Sequence, residues 1–249
     1  MTNYEIEQLE SRLLLSATAV LKNGTLLING DASNDTIAVK EWDGEFTIVV
    51  YHDTDGDGFV DASLGLFNIA DIKNIKINSK GGDDLVHIEK LTTEGWLPNI
   101  SIMTGGGDDI VQVDSSIIGA LTISTGSGND YVNLFENNFG PVSINTGGGN
   151  DVAHVYAAAI DGALSANLGS GNDLLSLHLL STIDSVTTAV KVNGGWGRRD
   201  VLIDGKDFGE IPIPSVRQFE SVLSDFPPGV YEDLIDHFDM AGNRTDGNF

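Results

Sequence analysis

Apolar and polar residues alternate along much of this chain in short runs, which is the pattern of a β-strand that buries one face. In the clearest runs, apolar residues stand two and four positions after an aspartate, as Val132 and Leu134 do after Asp130. A second apolar pair precedes each such aspartate, for example Leu121 and Ile123. Each unit therefore predicts two strands joined by a turn. The residues between the apolar positions of the second strand are mostly polar and are expected to face solvent: Ala38, His87, Gln112, Asn133, His154 and Ser176.

The unit is an internal repeat, and seven copies align on their last aspartate. The spacings between successive copies are 49, 25, 21, 21, 22 and 27 residues, so the central period is about 21 residues. A unit of this size cannot bury its apolar face alone, but stacked copies can. The sequence thus predicts an all-β fold, a parallel β-solenoid (β-helix) of about eight coils with ~21 residues per coil. The aligned aspartates are Asp35, Asp84, Asp109, Asp130, Asp151, Asp173 and Asp200.

The alignment predicts two further columns of side chains. One column should point inward about nine residues after the aspartate, and it consists of Ile118, Phe139, Ile160 and, one residue later, Ile183. The other column should form a ladder along one edge of the solenoid, and it consists of Ser79, Thr104, Thr125 and Thr146.

The chain divides into three parts. Residues 1–23 form an N-terminal segment, residues 24–204 form the solenoid with a hairpin inserted at about 41–70, and residues 205–249 form a proline-rich C-terminal segment. In the last part, Tyr231 to Met240 is predicted to be a short helix with Leu234, Ile235 and Phe238 on one face. Because solenoids need atypical ends, we expect this helix to cap the last coil.

The charge of the chain narrows the classes of partner. The sequence has 37 acidic and 13 basic residues, which gives a formal net charge of -24. This charge repels polyanions, so it excludes nucleic acid and favours cations as partners. No cysteine is present, which excludes disulfides and thiolate metal sites. No apolar run approaches the roughly 18 residues of a membrane span, and we expect a protein that does not span a membrane.

The glycine loops between the two strands of each unit carry the candidate chemistry. In TGSGND (residues 125–130) and TGGGND (residues 146–151), glycines free the backbone and the aspartate supplies charge. Hard oxygen ligands of this kind are those that Ca²⁺ prefers. In stacked coils, carboxylates roughly 5 Å apart would repel each other unless a cation lay between them. The predicted calcium ligands are Asp84, Asp109, Asp130, Asp151 and Asp173, with Gly126, Gly128, Gly147, Gly149, Gly169 and Gly171.

These loops resemble the calcium β-roll of repeats-in-toxin (hemolysin-type) proteins, whose nonapeptide runs Gly-Gly-x-Gly-x-Asp-x-apolar-x. GSGNDYV, GGGNDVA and GSGNDLL match it from the second glycine onward. The resemblance implies calcium bound between coils. This chain departs from the family in having one loop per 21 residues, so metal is expected along one edge only, and none is assigned at Asp35 or Asp200. The alternative, that Gly-Asn-Asp forms tight turns without metal, stays open.

A second candidate calcium site lies in the inserted hairpin. The segment DTDGDGFVD resembles the first nine positions of an EF-hand loop, with Asp53, Asp55, Asp57 and Asp61 at positions 1, 3, 5 and 9. Leu64 stands where the bidentate glutamate belongs, and the flanking residues predict strands rather than helices. We expect a hairpin tip that binds calcium weakly, and a plain acidic turn is the alternative.

The N-terminal segment carries another resemblance. Residues 7–17, EQLESRLLLSA, are similar to the Leu-Glu-x-Arg-x-Leu-Leu-Ser-Ala sequence near the start of many large planctomycete surface and secreted proteins. The resemblance implies an extracellular or cell-surface location in a bacterium. An amphipathic helix with Ile6, Leu9 and Leu13 on one face, closing the first coil, is an alternative that is compatible with it.

Two classes of function are consistent with these features. The first is a calcium-stabilised structural or adhesive solenoid that assembles through its ends into a filament or surface layer, with surface polysaccharide as a candidate partner. The second is a carbohydrate-active β-helix, either a polysaccharide lyase or a glycosidase. Lys90 is the only basic residue in 81–175, and Trp42, Trp96 and Trp196 are widely separated, so no basic or aromatic groove is visible. We therefore predict a protein that is not an enzyme.

Overall fold

The structure, a computed structural model, describes residues 17–42, 47–53, 62–179, 190–197, 200–204, 215–217 and 221–224. Within these ranges the chain forms two long sheets, of nine and eleven strands, whose strands alternate along the sequence. Most neighbouring strands in each sheet are parallel. The fold is therefore a parallel β-solenoid, which confirms the predicted fold class.

The nine-stranded sheet, called sheet A, contains the strand that precedes each glycine loop. Its strands are β1 (Thr18–Lys22), β2 (Thr25–Asn29), β6 (Asn74–Asn78), β8 (Asn99–Gly106), β11 (Leu121–Ser127), β13 (Val142–Gly148), β15 (Leu164–Asn167), β17 (Val190–Asn193) and β19 (Ser215–Arg217).

The eleven-stranded sheet, called sheet B, contains the strand that follows each loop. Its strands are β3 (Thr36–Glu41), β4 (Thr47–Asp53), β5 (Ala62–Asn68), β7 (Leu85–Glu89), β9 (Ile110–Asp114), β10 (Ile117–Ile118), β12 (Tyr131–Phe139), β14 (Val152–Ile160), β16 (Leu174–Leu179), β18 (Val201–Asp204) and β20 (Ser221–Ser224).

The register of the sheets stacks equivalent residues of successive repeats. In sheet A, Ile123 of β11 pairs with Ile102 on one side and Ile144 on the other. The inward column of sheet B is buried as predicted, and so is the column of Ile118, Phe139 and Ile160, while Ile183 lies outside the described residues. Each coil thus buries its apolar face against the coils above and below it. The inward residues of sheet B are Ile37, Val39, Val86, Ile88, Val111, Val113, Val132, Leu134, Ala153, Val155, Leu175 and Leu177.

The number of coils differs from the prediction. The solenoid has about five regular turns rather than about eight. The long gap between Asp35 and Asp84 does not contain a coil, because β2 pairs directly with β6 and β3 pairs directly with β7. Toward the other end, β17 to β20 shorten to three or four residues each. The estimate from the sequence counted the gap and the terminal copies as regular coils.

Antiparallel strands close the N-terminal end of the described solenoid. β1 pairs with β2, and β4 lies between β3 and β5 in a meander that extends sheet B. The two flanks of the acidic loop are therefore strands, as the sequence predicted. One 3₁₀ turn, Ile69–Asp71, then leads into the next coil, and Asn68 caps it by accepting a hydrogen bond from the Ala70 N–H at 2.9 Å.

No α-helix occurs in the described ranges, so none of them holds a helix long and apolar enough to cross a membrane. The helix predicted at Tyr231 to Met240 and the segment 1–16 lie outside the described residues.

We expect Gly128→Ala to destabilise the solenoid far more than Gly95→Ala. Both glycines have positive φ, +126° and +79°, which strains any other residue. At Gly128 an added Cβ would also lie 1.9 Å from the carbonyl oxygen of Gly107 in the neighbouring coil, whereas Gly95 has open space. The free energy of unfolding, measured in urea, should fall by about 3 kcal/mol or more for Gly128→Ala and by about 1 kcal/mol for Gly95→Ala. Equal losses would show that φ alone, not coil stacking, requires the glycine.

Candidate functional site

In the central loops, glycine is required at two positions by the way the loops stack. Gly126 and Gly128 have φ of +108° and +126°, and a Cβ on either would lie about 2 Å from a carbonyl oxygen of the coil before. The same holds in the next coil for Gly147 and Gly149. Lys80 has the same left-handed conformation, with φ of +81°, although it is not a glycine. The Thr-Gly-x-Gly part of the repeat therefore fits the backbone packing of the coils, with or without a metal.

The register aspartates form a continuous buried ladder, called the inner ladder. The backbone N–H of Asp130 donates a hydrogen bond to Oδ1 of Asp151 in the next coil at 2.9 Å. Every successive pair repeats this bond, with distances of 2.8 to 3.0 Å. The carboxylate thus satisfies a backbone donor that turns away from the sheets. Members of the inner ladder are Asp35, Asp84, Asp109, Asp130, Asp151, Asp173 and Asp200.

In five members of this ladder the second carboxylate oxygen has no hydrogen-bond donor. Oδ2 is buried and has no partner in Asp84, Asp109, Asp130, Asp151 and Asp173. The Thr125 hydroxyl lies beside Asp130, but its single proton is donated to the carbonyl of Thr146 at 3.1 Å. Thr104 and Thr146 make the equivalent bonds to the next coil at 3.2 and 2.7 Å. The predicted ladder of Ser79, Thr104, Thr125 and Thr146 is confirmed as a buried column, and its three threonines donate to carbonyls.

Burial raises the pKa of these carboxyl groups. It raises the pKa of Asp84 to about 6 and those of Asp130 and Asp173 to about 7, and it raises the pKa of Asp109 and Asp151 as well. Hydrogen bonds from the backbone oppose this shift only in part. The inner ladder is therefore a column of carboxyl groups that resist ionisation, each with one oxygen available to a proton or a cation.

A second ladder runs along the outside of the same loops in the opposite direction. In the first six copies the residue before the register aspartate is Asn or Asp. From Asn34 to Asn150, its Oδ1 accepts the backbone N–H of the equivalent residue in the following coil at 2.6 to 2.9 Å. The side-chain amides of Asn150 and Asn172 also donate to Oδ1 of Asn129 and Asn150, at 3.3 and 3.2 Å. This role was not predicted from the sequence, although six of the seven copies have Asn or Asp there. The outer ladder consists of Asn34, Asp83, Asp108, Asn129, Asn150 and Asn172.

The predicted ligands supply only some of the oxygen atoms that a calcium ion needs. Calcium takes six to eight oxygens, and each loop offers one carboxylate oxygen that no donor occupies. In the described ranges, no group of three or more His, Asp or Glu side chains is arranged to hold a metal ion. A cation between two coils would thus meet two carboxylates at most, and backbone carbonyls and threonine hydroxyls would complete its shell. The structure brings the five predicted aspartates into one column, and adds Asp35 and Asp200 to it.

The second candidate site is outside what the structure describes. Asp55, Asp57 and Asp61 lie in the segment 54–61, and Asp53 is the last residue of β4. The calcium prediction for this loop stays a prediction.

The sequence analysis also missed an aromatic row on the outward face of sheet B. Phe135 stacks on Tyr156 with ring centroids 5.0 Å apart, and Tyr156 stacks on His178 at 4.8 Å. The three residues occupy the same position, five after the register aspartate, in successive repeats. Beside them, His154 is buried, and burial, with a smaller effect of His178, lowers its pKa to about 4. The prediction that His154 and Ser176 face solvent is wrong, because both are buried.

No protein-family model matches this chain, and neither a curated protein nor a solved structure matches it. The function of this protein is therefore inferred from the geometry of its loops.

We expect the metal-free protein to lose stability as the pH rises from 5 to 8. The pKa of Asp130 is raised from 3.8 to about 7, so the folded chain binds this proton more tightly than the unfolded chain does. The stabilisation that this bound proton gives the folded state is at its maximum below pH 4, and it is lost as the pH rises past 7. Thermal melts in chelator should show the loss, and Asp130→Asn should reduce it, because asparagine keeps the Oδ1 acceptor without the charge. If stability falls by the same amount in the variant, Asp130 does not have this role. His154 is present in both proteins, so its titration cannot produce a difference between them.

Proposed function

We propose that this protein is a structural β-solenoid of the bacterial exterior, a rod that spaces or attaches surface components, and that calcium bound in its glycine loops stabilises the rod. One observation supports the proposal above all: the row of buried Oδ2 atoms, one per coil, without donors from Asp84 to Asp173. A buried carboxylate oxygen without a partner is costly. A column of them is explained if something other than a protein donor neutralises it.

The spacing of the coils suits calcium as the neutralising group. Equivalent atoms of adjacent parallel strands are separated by about 4.8 Å, and a Ca²⁺–oxygen bond is about 2.4 Å long. A cation midway between two such oxygens would therefore be at bonding distance from both. The Oδ2 atoms of Asp109 and Asp130 would hold one such cation and those of Asp130 and Asp151 the next, and calcium would supply positive charge that lets these carboxyls ionise without repelling each other.

The overall charge supports a location where calcium is plentiful. With a formal net charge of -24, the chain repels its own copies and its own coils unless cations bind. Extracellular modules bind calcium with dissociation constants of about 10⁻⁴ to 10⁻³ M, which external calcium can satisfy. The resemblance of the loops to hemolysin-type repeats and of residues 7–17 to planctomycete surface proteins supports the same location.

The alternative function, a carbohydrate-active β-helix, gains no support from the aromatic row. Aromatic platforms bind sugars through the faces of their rings. Here both faces of Tyr156 lie against Phe135 and His178, so the row presents ring edges instead. We therefore favour the structural role.

Calcium should raise the melting temperature, and Asp109→Asn should reduce this rise while Asp108→Asn leaves it unchanged. The two residues are adjacent and the substitutions remove the same charge, but Asp109 is in the inner ladder and Asp108 in the outer one. Asparagine already occupies the outer position in the following coils, at Asn129 and Asn150. At 100 times the dissociation constant, calcium stabilises by about 2.7 kcal/mol per site. Thermal melts with calcium and with chelator measure the effect, and isothermal titration gives the number of sites.

Two results would contradict the calcium proposal. The first is an unchanged melting temperature of the wild type in calcium. The second is an equal loss of the calcium effect in Asp109→Asn and Asp108→Asn, which would indicate nonspecific screening of surface charge.

Self-assembly is part of the proposed role, and the N-terminal end of the solenoid is its candidate contact. β1 and β5 are the outer strands of the two sheets at this end, and no described strand pairs with their outer edges. Val20 and Leu66 on these strands are 55% and 65% exposed. Unpaired edges with exposed apolar side chains favour pairing between chains.

Light scattering in calcium should detect association of the wild type, and lysines on both edge strands should weaken it. Val20→Lys combined with Leu66→Lys places charge on the two outer strands, which opposes edge pairing. Leu97→Lys is the control, because Leu97 is exposed but lies outside the strands. Association that is equally weak in the control, or a wild type that stays monomeric, would contradict this contact.

A further inference from the structure

The outward face of sheet B carries a continuous row of apolar side chains. Each of these residues stands one position after a register aspartate and points away from the core, because the next residue along the strand points inward. The strand register places them side by side on six neighbouring strands, from β7 to β18. Val152 is buried and the others are half-buried. This row, called the apolar row, consists of Leu85, Ile110, Tyr131, Val152, Leu174 and Val201.

The outward face of sheet A is different. Its outward positions are mainly serine, threonine, asparagine and lysine, and Lys76, Ser143 and Lys191 lie exposed in one row of it. Side chains of this kind are satisfied by water, whereas a contiguous apolar row on a surface marks a site of interaction. Sheet B therefore has the surface that favours a protein partner.

The charged groups on the sheet B face are paired within it. Lys40 Nζ lies 3.6 Å from Glu89 Oε1, and His87 Nε2 makes a hydrogen bond of 2.9 Å with Asp114 Oδ2. On β12, β14 and β16, the positions one, three and five after the register aspartate hold no Asp or Glu. The chain has a formal net charge of -24, which repels other copies, and this face adds almost nothing to that repulsion.

A two-fold axis that runs along the strands, between β12 and β14, places the apolar row of a second copy on the apolar row of the first. The axis reverses the order of the strands, so β9 lies over β16 and β12 lies over β14. Ile110 then faces Leu174 of the second copy, and Tyr131 faces Val152 of the second copy. Each contact occurs twice, because an interface with this symmetry uses the same surface in both copies.

The same axis also matches the row that stands five residues after the aspartates. Asp114 faces the second copy's His178, and Phe135 faces the second copy's Tyr156. The first pair is a carboxylate and an imidazole, and the second pair is two aromatic rings. Between β9 and β16, no pair of facing positions in these two rows brings two carboxylates together. This self-complementarity favours a second copy of the chain over an unrelated partner.

We propose that two copies of this chain pair through the outward faces of sheet B about this two-fold axis. Facing sheets pack about 10 Å apart with their strands at about 30°, so the match is closest near the axis. The six strands from β7 to β18 offer a face of about 29 by 17 Å. Two such faces bury roughly 1,000 Å² in total, which is the lower limit for a specific interface. The pairing joins rods side by side, and it depends neither on calcium nor on the proposed contact at the rod end.

Analytical ultracentrifugation of the full chain in chelator tests the face. The wild type should form a dimer reversibly as the chain concentration rises toward the millimolar range. Ile110→Lys combined with Leu174→Lys should raise the dissociation constant at least about tenfold, because each lysine faces another lysine across the axis. Thr122→Lys combined with Ser165→Lys is the matched control. It adds the same charge to the outward row of sheet A that already holds Lys76, and it should leave the dimer unchanged.

Disulfide formation tests the axis itself, since the chain has no cysteine of its own. Gln112 faces Ser176 of the second copy, but within one chain these residues are on strands three spacings apart, about 14 Å. A disulfide requires Cα atoms within roughly 7 Å of each other. A mixture of Gln112→Cys and Ser176→Cys chains should therefore cross-link on oxidation at least about tenfold faster than either variant alone.

Circular dichroism checks that each variant keeps its sheets, and the cysteine variants test the proposal independently of the lysine variants. A wild type that stays monomeric would overturn the proposal, because the face would then be left to another partner or to solvent. A dimer that the sheet A lysines weaken as much as the sheet B lysines would also overturn it. If the mixture of cysteine variants cross-links no faster than each variant alone, the two-fold pairing is wrong.

Discussion

One coil rests on the next at the spacing of parallel β-strands, about 4.8 Å, and every loop and side-chain column has to fit that distance. The sheets meet it with regular backbone pairing, in which Ile123 stands over Ile102 and under Ile144. The same pairing continues into the glycines of the loops, where Gly126 pairs with Gly105 and Gly147. Glycines with φ near +100° let the backbones of adjacent loops approach so closely that a Cβ would not fit between them, as at Gly126 over the carbonyl of Gly105. Two ladders of side chains then satisfy the backbone N–H groups that the turns leave unpaired.

The two ladders run in opposite directions, which ties each loop to both of its neighbours. In the inner ladder the N–H of one coil bonds to the carboxylate of the next, and in the outer ladder the side chain of one coil accepts the N–H of the next. The electrostatic consequence differs between them. Asn129 is half-buried, Asn150 is exposed and both are neutral, but Asp130 and Asp151 are buried among like groups, so their pKa values rise. The stacking that gives the loop its shape therefore also creates a column with affinity for protons or cations.

The outward faces of the two sheets are chemically different. Sheet A carries serines and an asparagine row, in which the Asn167 amide donates to Asn145 and the Asn193 amide donates to Asn167, both at 2.8 Å. Such a face is well hydrated. Sheet B carries the stack of Phe135, Tyr156 and His178, with the buried His154 and Ser176 beside it. The two faces of the solenoid therefore differ in chemistry, although the repeats have nearly the same backbone.

The sequence by itself determined the class of fold, the inward columns and the loop column, because alternation with period two and recurrence at about 21 residues are local properties that stacked copies must share. Val132 and Leu134, for example, could be assigned to the core without coordinates. Only the tertiary structure decided which atoms the aspartates bind, since Oδ1 of Asp151 meets a backbone N–H from a residue 21 positions away. It also showed that the gap after Asp35 forms an antiparallel meander rather than a coil, and that Ser176 is buried while Ser165 is not. Polarity along the chain predicts which face a residue points to, but not how deeply its neighbours bury it.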